Sequence, residues 1–129
     1  MTTAQKNRFK KILEAKRSEL LRGIRVQRAR LAIIPASDPM DELKSLADRD
    51  FAVKTMNQMS QLLRLVEGAL GELRAGTFGM CADCGVEIPV KRLEAVPWSP
   101  YCVGCQERVE RSQNRGSRSD HDTPYALAS

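Results

Sequence analysis

The sequence predicts a mainly α-helical protein: a long antiparallel coiled-coil hairpin, a small module built on four cysteines, and a short C-terminal helix. Three observations carry this. Apolar residues recur at helical spacing through two long segments, a proline-bounded break separates those segments, and two Cys-x2-Cys pairs with 17 residues between them follow the second segment.

The first helix is expected from Gln5 to about Ala32. Phe9, Ile12, Leu13, Leu20, Leu21, Ile24 and Leu31 recur there with charges between them, which is the pattern of an amphipathic helix. Gly23 weakens that helix without ending it. Pro35 ends it, because proline lacks the N–H and disfavours a helical residue before it. Ala36-Ser37 forms the turn.

A second start signal follows at once. Asp38 suits the N-cap, Pro39 the first helical position, and Asp41 and Glu42 the first turn, where the helix dipole favours anions. Met56, Met59, Leu63, Val66, Leu70 and Leu73 then alternate steps of three and four over three heptads, a coiled-coil seam. Such a seam also suits pairing between chains. The short Pro35–Pro39 connection favours an intramolecular αα-hairpin, and hence a monomer. From Pro39 to Ala75 the second helix spans about 55 Å at about 1.5 Å per residue, so residues 1–75 form an arm whose tip lies near 38–43.

Gly76-Thr77-Phe78-Gly79 closes the arm and opens a module over residues 76–113. Cys81-Ala82-Asp83-Cys84 and Cys102-Val103-Gly104-Cys105 have the spacing of a tetrahedral zinc site, in which each short turn supplies two sulfurs. Gly85 and Gly104 are expected to let each turn bend around the metal. Two disulfides are the reading for a secreted chain, but Met1-Thr-Thr-Ala-Gln-Lys shows no apolar signal region, so reduced thiols in a cytoplasmic setting are expected. A thioredoxin-type redox pair requires a βαβ context, and a catalytic zinc requires an open coordination position that four cysteines leave no room for. One structural Zn2+ on Cys81, Cys84, Cys102 and Cys105 is therefore expected. Ile88, Val90, Leu93, Val96 and Trp98 supply a small apolar core beside it, and Gln106 to about Gln113 a final helix. Residues 114–129 are polar and aperiodic and read as a disordered tail, in which His121 is a solvated residue rather than a ligand.

With 129 residues and 5% aromatics, the chain has little capacity for a large core, and the metal is expected to supply folding energy. Its net charge of +5 is uneven. Residues 1–37 carry ten basic and two acidic side chains, whereas 38–50 carry five acidic and two basic ones. A basic strip of this kind suits nucleic acid, an acidic protein surface, or plain solvation. The acidic tip also has two readings. Asp38 and Asp41 serve the helix start as cap and dipole partner, or they project from a rigid arm into a partner's charged interior.

The order helix, Asp38-Pro39-Met40-Asp41, helix, Phe78-Gly-Met-Cys-Ala-Asp-Cys-Gly-Val-Glu-Ile, Arg92-Leu-Glu-Ala and second cysteine pair resembles the DksA/TraR family of bacterial transcription factors over roughly residues 5–110. The resemblance implies a non-catalytic factor that binds RNA polymerase, inserting the arm through the secondary channel and modulating initiation through Asp38 and Asp41. Specific DNA binding is not expected. The chain departs from the family pattern in three respects. Leu43 stands where the family tip has Ala. Leu65, Val96 and Gln106 stand where members that respond to guanosine tetraphosphate have basic residues, so that response is not expected. The additional N-terminal segment of longer members is missing, as in a shorter paralogue. The ending Tyr125-Ala-Leu-Ala-Ser129 resembles a bacterial degradation tag but closes on Ser. Two alternatives remain: a Gre-like factor whose tip acids hold Mg2+ for transcript cleavage, and a zinc-ribbon nucleic-acid binder.

Overall fold

A computed structural model of the protein describes residues 1–33 and 39–119, the side chains of 39–41 and 115–119 excepted. Two long helices, α1 (Thr3–Ile33) and α2 (Pro39–Ala75), form the arm, followed by a short helix α3 (Val90–Ala95) and by α4 (Val103–Ser119). The pairing is antiparallel: Arg17 Nε lies 3.9 Å from Glu67 Oε1, and further along α1 Gly23 lies against Met59.

Helix α1 begins at Thr3 rather than Gln5 because Thr2 and Gln5 form a capping box. The Gln5 N–H donates to Thr2 Oγ1 at 3.1 Å, and the Thr2 N–H donates to Gln5 Oε1 at 2.9 Å. The arm's base is packed by Phe9, Leu13 and Leu20 against Val66, Ala69 and Leu70. Ile12 does not join them. It stands one position before Leu13, about 100° round the helix, and is 43% exposed. Ile24 and, unexpectedly, Gln27 continue the α1 seam as buried residues, and Ala52 extends the α2 seam by one step toward the tip. Beside Gly23 the end of the Met59 side chain fills the space a Cβ would take, Sδ standing 2.8 Å from that position.

Helix α2 ends where expected. Gly76 takes φ +79°, and the Thr77 N–H reaches back to the Glu72 carbonyl at 2.9 Å, the six-to-one bond of a Schellman motif. The turn delivers Phe78 onto Phe9, ring centroids 5.4 Å apart and tilted by 46°. The buried cluster then runs on without a gap through Cys81, Ile88, Leu93 and Cys105, with Trp98 and Tyr101 packed half-buried against it. Polar contacts reinforce the junction: Arg8 Nη2 pairs with Glu94 at 3.1 Å, and Lys16 Nζ sits 5.7 Å above the Trp98 ring.

Helix α4 starts three residues earlier than expected and runs past Gln113 to Ser119, into the segment that the sequence reads as a disordered tail. The second cysteine turn is itself the helix start, with the Gln106 N–H donating to the Cys102 carbonyl at 2.9 Å. Its continuation is supported by an i,i+4 pair, Gln106 Nε2 to Glu110 Oε1 at 3.2 Å. No helix among the described residues is long and apolar enough to cross a membrane.

Candidate metal centre

The first cysteine turn is built by backbone bonds on either side of an isolated antiparallel bridge between Met80 and Glu87. The Cys81 N–H donates to the Val86 carbonyl at 2.8 Å, the Gly85 N–H closes back on the Cys81 carbonyl at 3.0 Å, and Ile88 bonds to Gly79 at 2.7 Å. Gly85 sits at φ +75°, where a side chain is strained, so the sequence reading of this glycine is correct. The reading of Gly104 is not. It lies inside α4 and is absent from the positive-φ glycines, because the second turn is helical and needs no left-handed residue.

The two turns are joined at several points. Ala82 N–H donates to the Pro100 carbonyl at 2.8 Å. Arg92 Nε and Ser99 Oγ both donate to the Tyr101 carbonyl, at 3.2 and 3.0 Å, fixing the chain that enters Cys102. Leu93 of α3, fully buried, fills the space beneath.

Cys81, Cys84, Cys102 and Cys105 converge, their sulfurs all within 4.8 Å of one another, and Cys84 Sγ lies 3.8 Å from Cys102 Sγ. A tetrahedral ion about 2.3 Å from each sulfur requires edges of about 3.8 Å, whereas a disulfide requires about 2.05 Å. The observed separation fits a shared ion, and all four cysteines are free. Cys81 and Cys105 form the buried side of the site, Cys102 is half-buried and Cys84 is exposed.

Backbone amides and burial treat the sulfurs differently. The N–H of Cys84 draws the Cys81 thiol down to about 6, and the N–H of Cys105 lowers Cys102. Burial pushes the Cys105 thiol up to about 12. Against that last sulfur stands a residue the sequence reading missed: Arg108 Nη2 donates to Cys105 Sγ at 2.9 Å and lies 3.7 Å from Asp83 Oδ2. The signal for it was an arginine three positions after a cysteine, meaningful only once that cysteine is placed on a helix.

The expected tip is partly described. Asp38 lies outside the described residues, Asp41 is in the first turn of α2 with its side chain outside them, and Leu43 is 72% exposed. His121 and Tyr125–Ser129 also lie outside them.

Residues 76–111 match the model of the prokaryotic dksA/traR C4-type zinc finger. Over 114 residues the chain is 32% identical to the RNA polymerase-binding transcription factor DksA of Salmonella typhimurium, covering 85% of this chain and 74% of that protein. The chain belongs to the DksA/TraR family. The Escherichia coli DksA is 31% identical over the same span. The solved structure of transcription factor DksA2 from Pseudomonas aeruginosa superposes with a TM-score of 0.76 at 28% identity, covering 88% of this chain and 89% of that one. In this family setting the four cysteines hold one structural zinc ion, and the chain is non-catalytic. Cys81, Cys84, Cys102 and Cys105 would hold the ion through four sulfurs, and the ion would supply a structural tie between the two turns.

Proposed function

We propose that this protein is a transcription factor that binds RNA polymerase, entering the secondary channel with its helical arm and modulating initiation through Asp38 and Asp41, with Leu43 beside them. The observation that carries this is the extent of the likeness to DksA2: it takes in arm and zinc module together, 88% of the chain, rather than the zinc finger alone. The length of α2, about 55 Å at about 1.5 Å per residue, supports an arm with its tip at the start of that helix and the zinc module at the other end. The arm seam is filled within one chain, which supports a monomer.

The response to guanosine tetraphosphate is proposed to be lost. Leu65 is 41% exposed on α2, Val96 caps α3 and Gln106 is engaged with Glu110, so none of the three positions offers a phosphate a cation.

The test is competition binding to core RNA polymerase by wild type and Asp38→Asn/Asp41→Asn, with initiation from a ribosomal-type promoter measured alongside. Retained binding with initiation altered only by wild type is expected. Failure of the wild type to bind polymerase refutes the reading, and transcript cleavage in place of altered initiation transfers it to the Gre-like class.

A further inference from the structure

Four thiolates around one divalent ion leave two uncompensated negative charges, which the surrounding protein must offset. The structure places one cation directly against this set. Arg108 reaches back from the second turn of α4, three residues beyond Cys105 and on the same helix face. Its Nη2 donates to the Cys105 sulfur at 2.9 Å, and the same nitrogen faces Asp83 Oδ2 at 3.7 Å, a residue between the two cysteines of the first turn. Arg108 thus touches one turn through its sulfur and the other through a carboxylate.

We propose that Arg108 is a positioning residue of the zinc centre, holding Cys105 as a ligand and bridging the two cysteine turns, and that it sets how slowly the site releases its metal. This rests on the zinc reading above. The contact with Asp83 is weak by itself, since the two side chains are 63% and 55% exposed and solvent screens them. The bond to sulfur is the stronger part. It is charge-assisted, its donor remains cationic at any accessible pH, and its acceptor belongs to a residue only 1% exposed. A sulfur that accepts a hydrogen bond has one lone pair less available to a competing proton or electrophile, so the zinc–sulfur bond at Cys105 breaks less readily. Asp83 keeps the guanidinium from swinging into solvent. Lysine at the same position would supply the charge without the fork, and leucine neither.

The experiment uses the full chain loaded with zinc, as wild type, Arg108→Leu, Arg108→Lys and Asp83→Asn. Zinc content is measured first, followed by the rate of transfer to a chromogenic chelator and the sulfur-to-metal charge-transfer band of the cobalt(II)-substituted protein. Stoichiometric zinc in wild type secures the site independently of Arg108, and its absence overturns the zinc reading itself. Arg108→Leu is expected to release zinc about tenfold faster and to shift the cobalt band, in the range found for partners of metal ligands. Arg108→Lys is expected to recover part of the difference, and Asp83→Asn to lie between wild type and Arg108→Leu. Release by Arg108→Leu within about twofold of wild type overturns the proposal. So does faster release with an unchanged cobalt band and no recovery by lysine, which marks a general loosening of α4. If the leucine variant fails to fold, the lysine and Asp83→Asn variants carry the same comparison.

Discussion

Replacing Phe9 with alanine tests whether the arm and the zinc module are one structural unit. Phe9 is fully buried and meets the Phe78 ring with centroids 5.4 Å apart, in a cluster that also contains Cys81 and Cys105. Core Phe→Ala changes cost about 3–5 kcal/mol, of which the ring pair accounts for roughly 0.5–1.5. Against a typical domain stability of about 5–15 kcal/mol that is a large fraction. At about 4 °C per kcal/mol for a chain of this size, the midpoint of thermal unfolding should fall by about 12–20 °C. Ile12, three residues away and 43% exposed, provides the control, with Ile12→Ala expected to cost about 1 kcal/mol or less. Both variants are compared with wild type by thermal melts of the zinc-loaded protein followed by circular dichroism. Because the Phe9 cluster reaches two zinc ligands, Phe9→Ala should also lose its metal at a lower chelator concentration. A shift below about 3 °C, or equal shifts for the two variants, refutes a continuous core from α1 into the module.

Two further outcomes follow from named contacts. Zinc affinity should rise with pH through the neutral range, because the metal must displace the proton that Cys105, pushed up to about 12, still holds there, whereas Cys81 at about 6 is already ionised above pH 6. Each displaced proton contributes about tenfold per pH unit, so competition titrations at three pH values that give a flat line contradict it. Gly23→Ala should stabilise the arm by up to about 1 kcal/mol, since alanine is the better helix former and the clashing atoms, Met59 Sδ at 2.8 Å and Cε at 2.9 Å, are the mobile end of a flexible side chain. Urea unfolding that shows a loss above about 1 kcal/mol would mean that Met59 is locked in place.

The features legible in the sequence were those set by local chemistry. Heptad steps and the proline-bounded break located both arm helices, and Gly76 and the cysteine spacing located the close of α2 and the metal ligands. The misreadings arose where neighbouring structure decides. Ile12 and Leu13 both look apolar, but only the axis of α2 determines which of them faces it. Gln27 continues the spacing of Leu20 and Ile24 but its polarity gives no sign of a seam residue, yet it is buried, and its Oε1 has no hydrogen-bond partner among the described residues. A polar group in a seam sacrifices stability and restricts the register in which the helices pair.

The zinc module shows the same division at closer range. A C-x2-C pair specifies two ligands but not the backbone that presents them, and here the two pairs differ. The first is a glycine-bent turn beside a β-bridge, and the second is the opening turn of a helix. That difference matters chemically, because a helical second pair repeats its face three residues on and so carries Arg108 back to the sulfur of Cys105. Likewise, Arg8 and Glu94 stand 86 positions apart, and no periodicity links them. They meet because Phe9 is drawn into the cluster beneath the zinc ligands, orienting α1 against α3. The exposed ion pair adds about 1 kcal/mol at most, so the apolar contact fixes the geometry and the charges follow it. That order of causes decides how the base responds to salt, since a base anchored by surface charges alone would loosen with salt, whereas one anchored by buried rings and a metal does not.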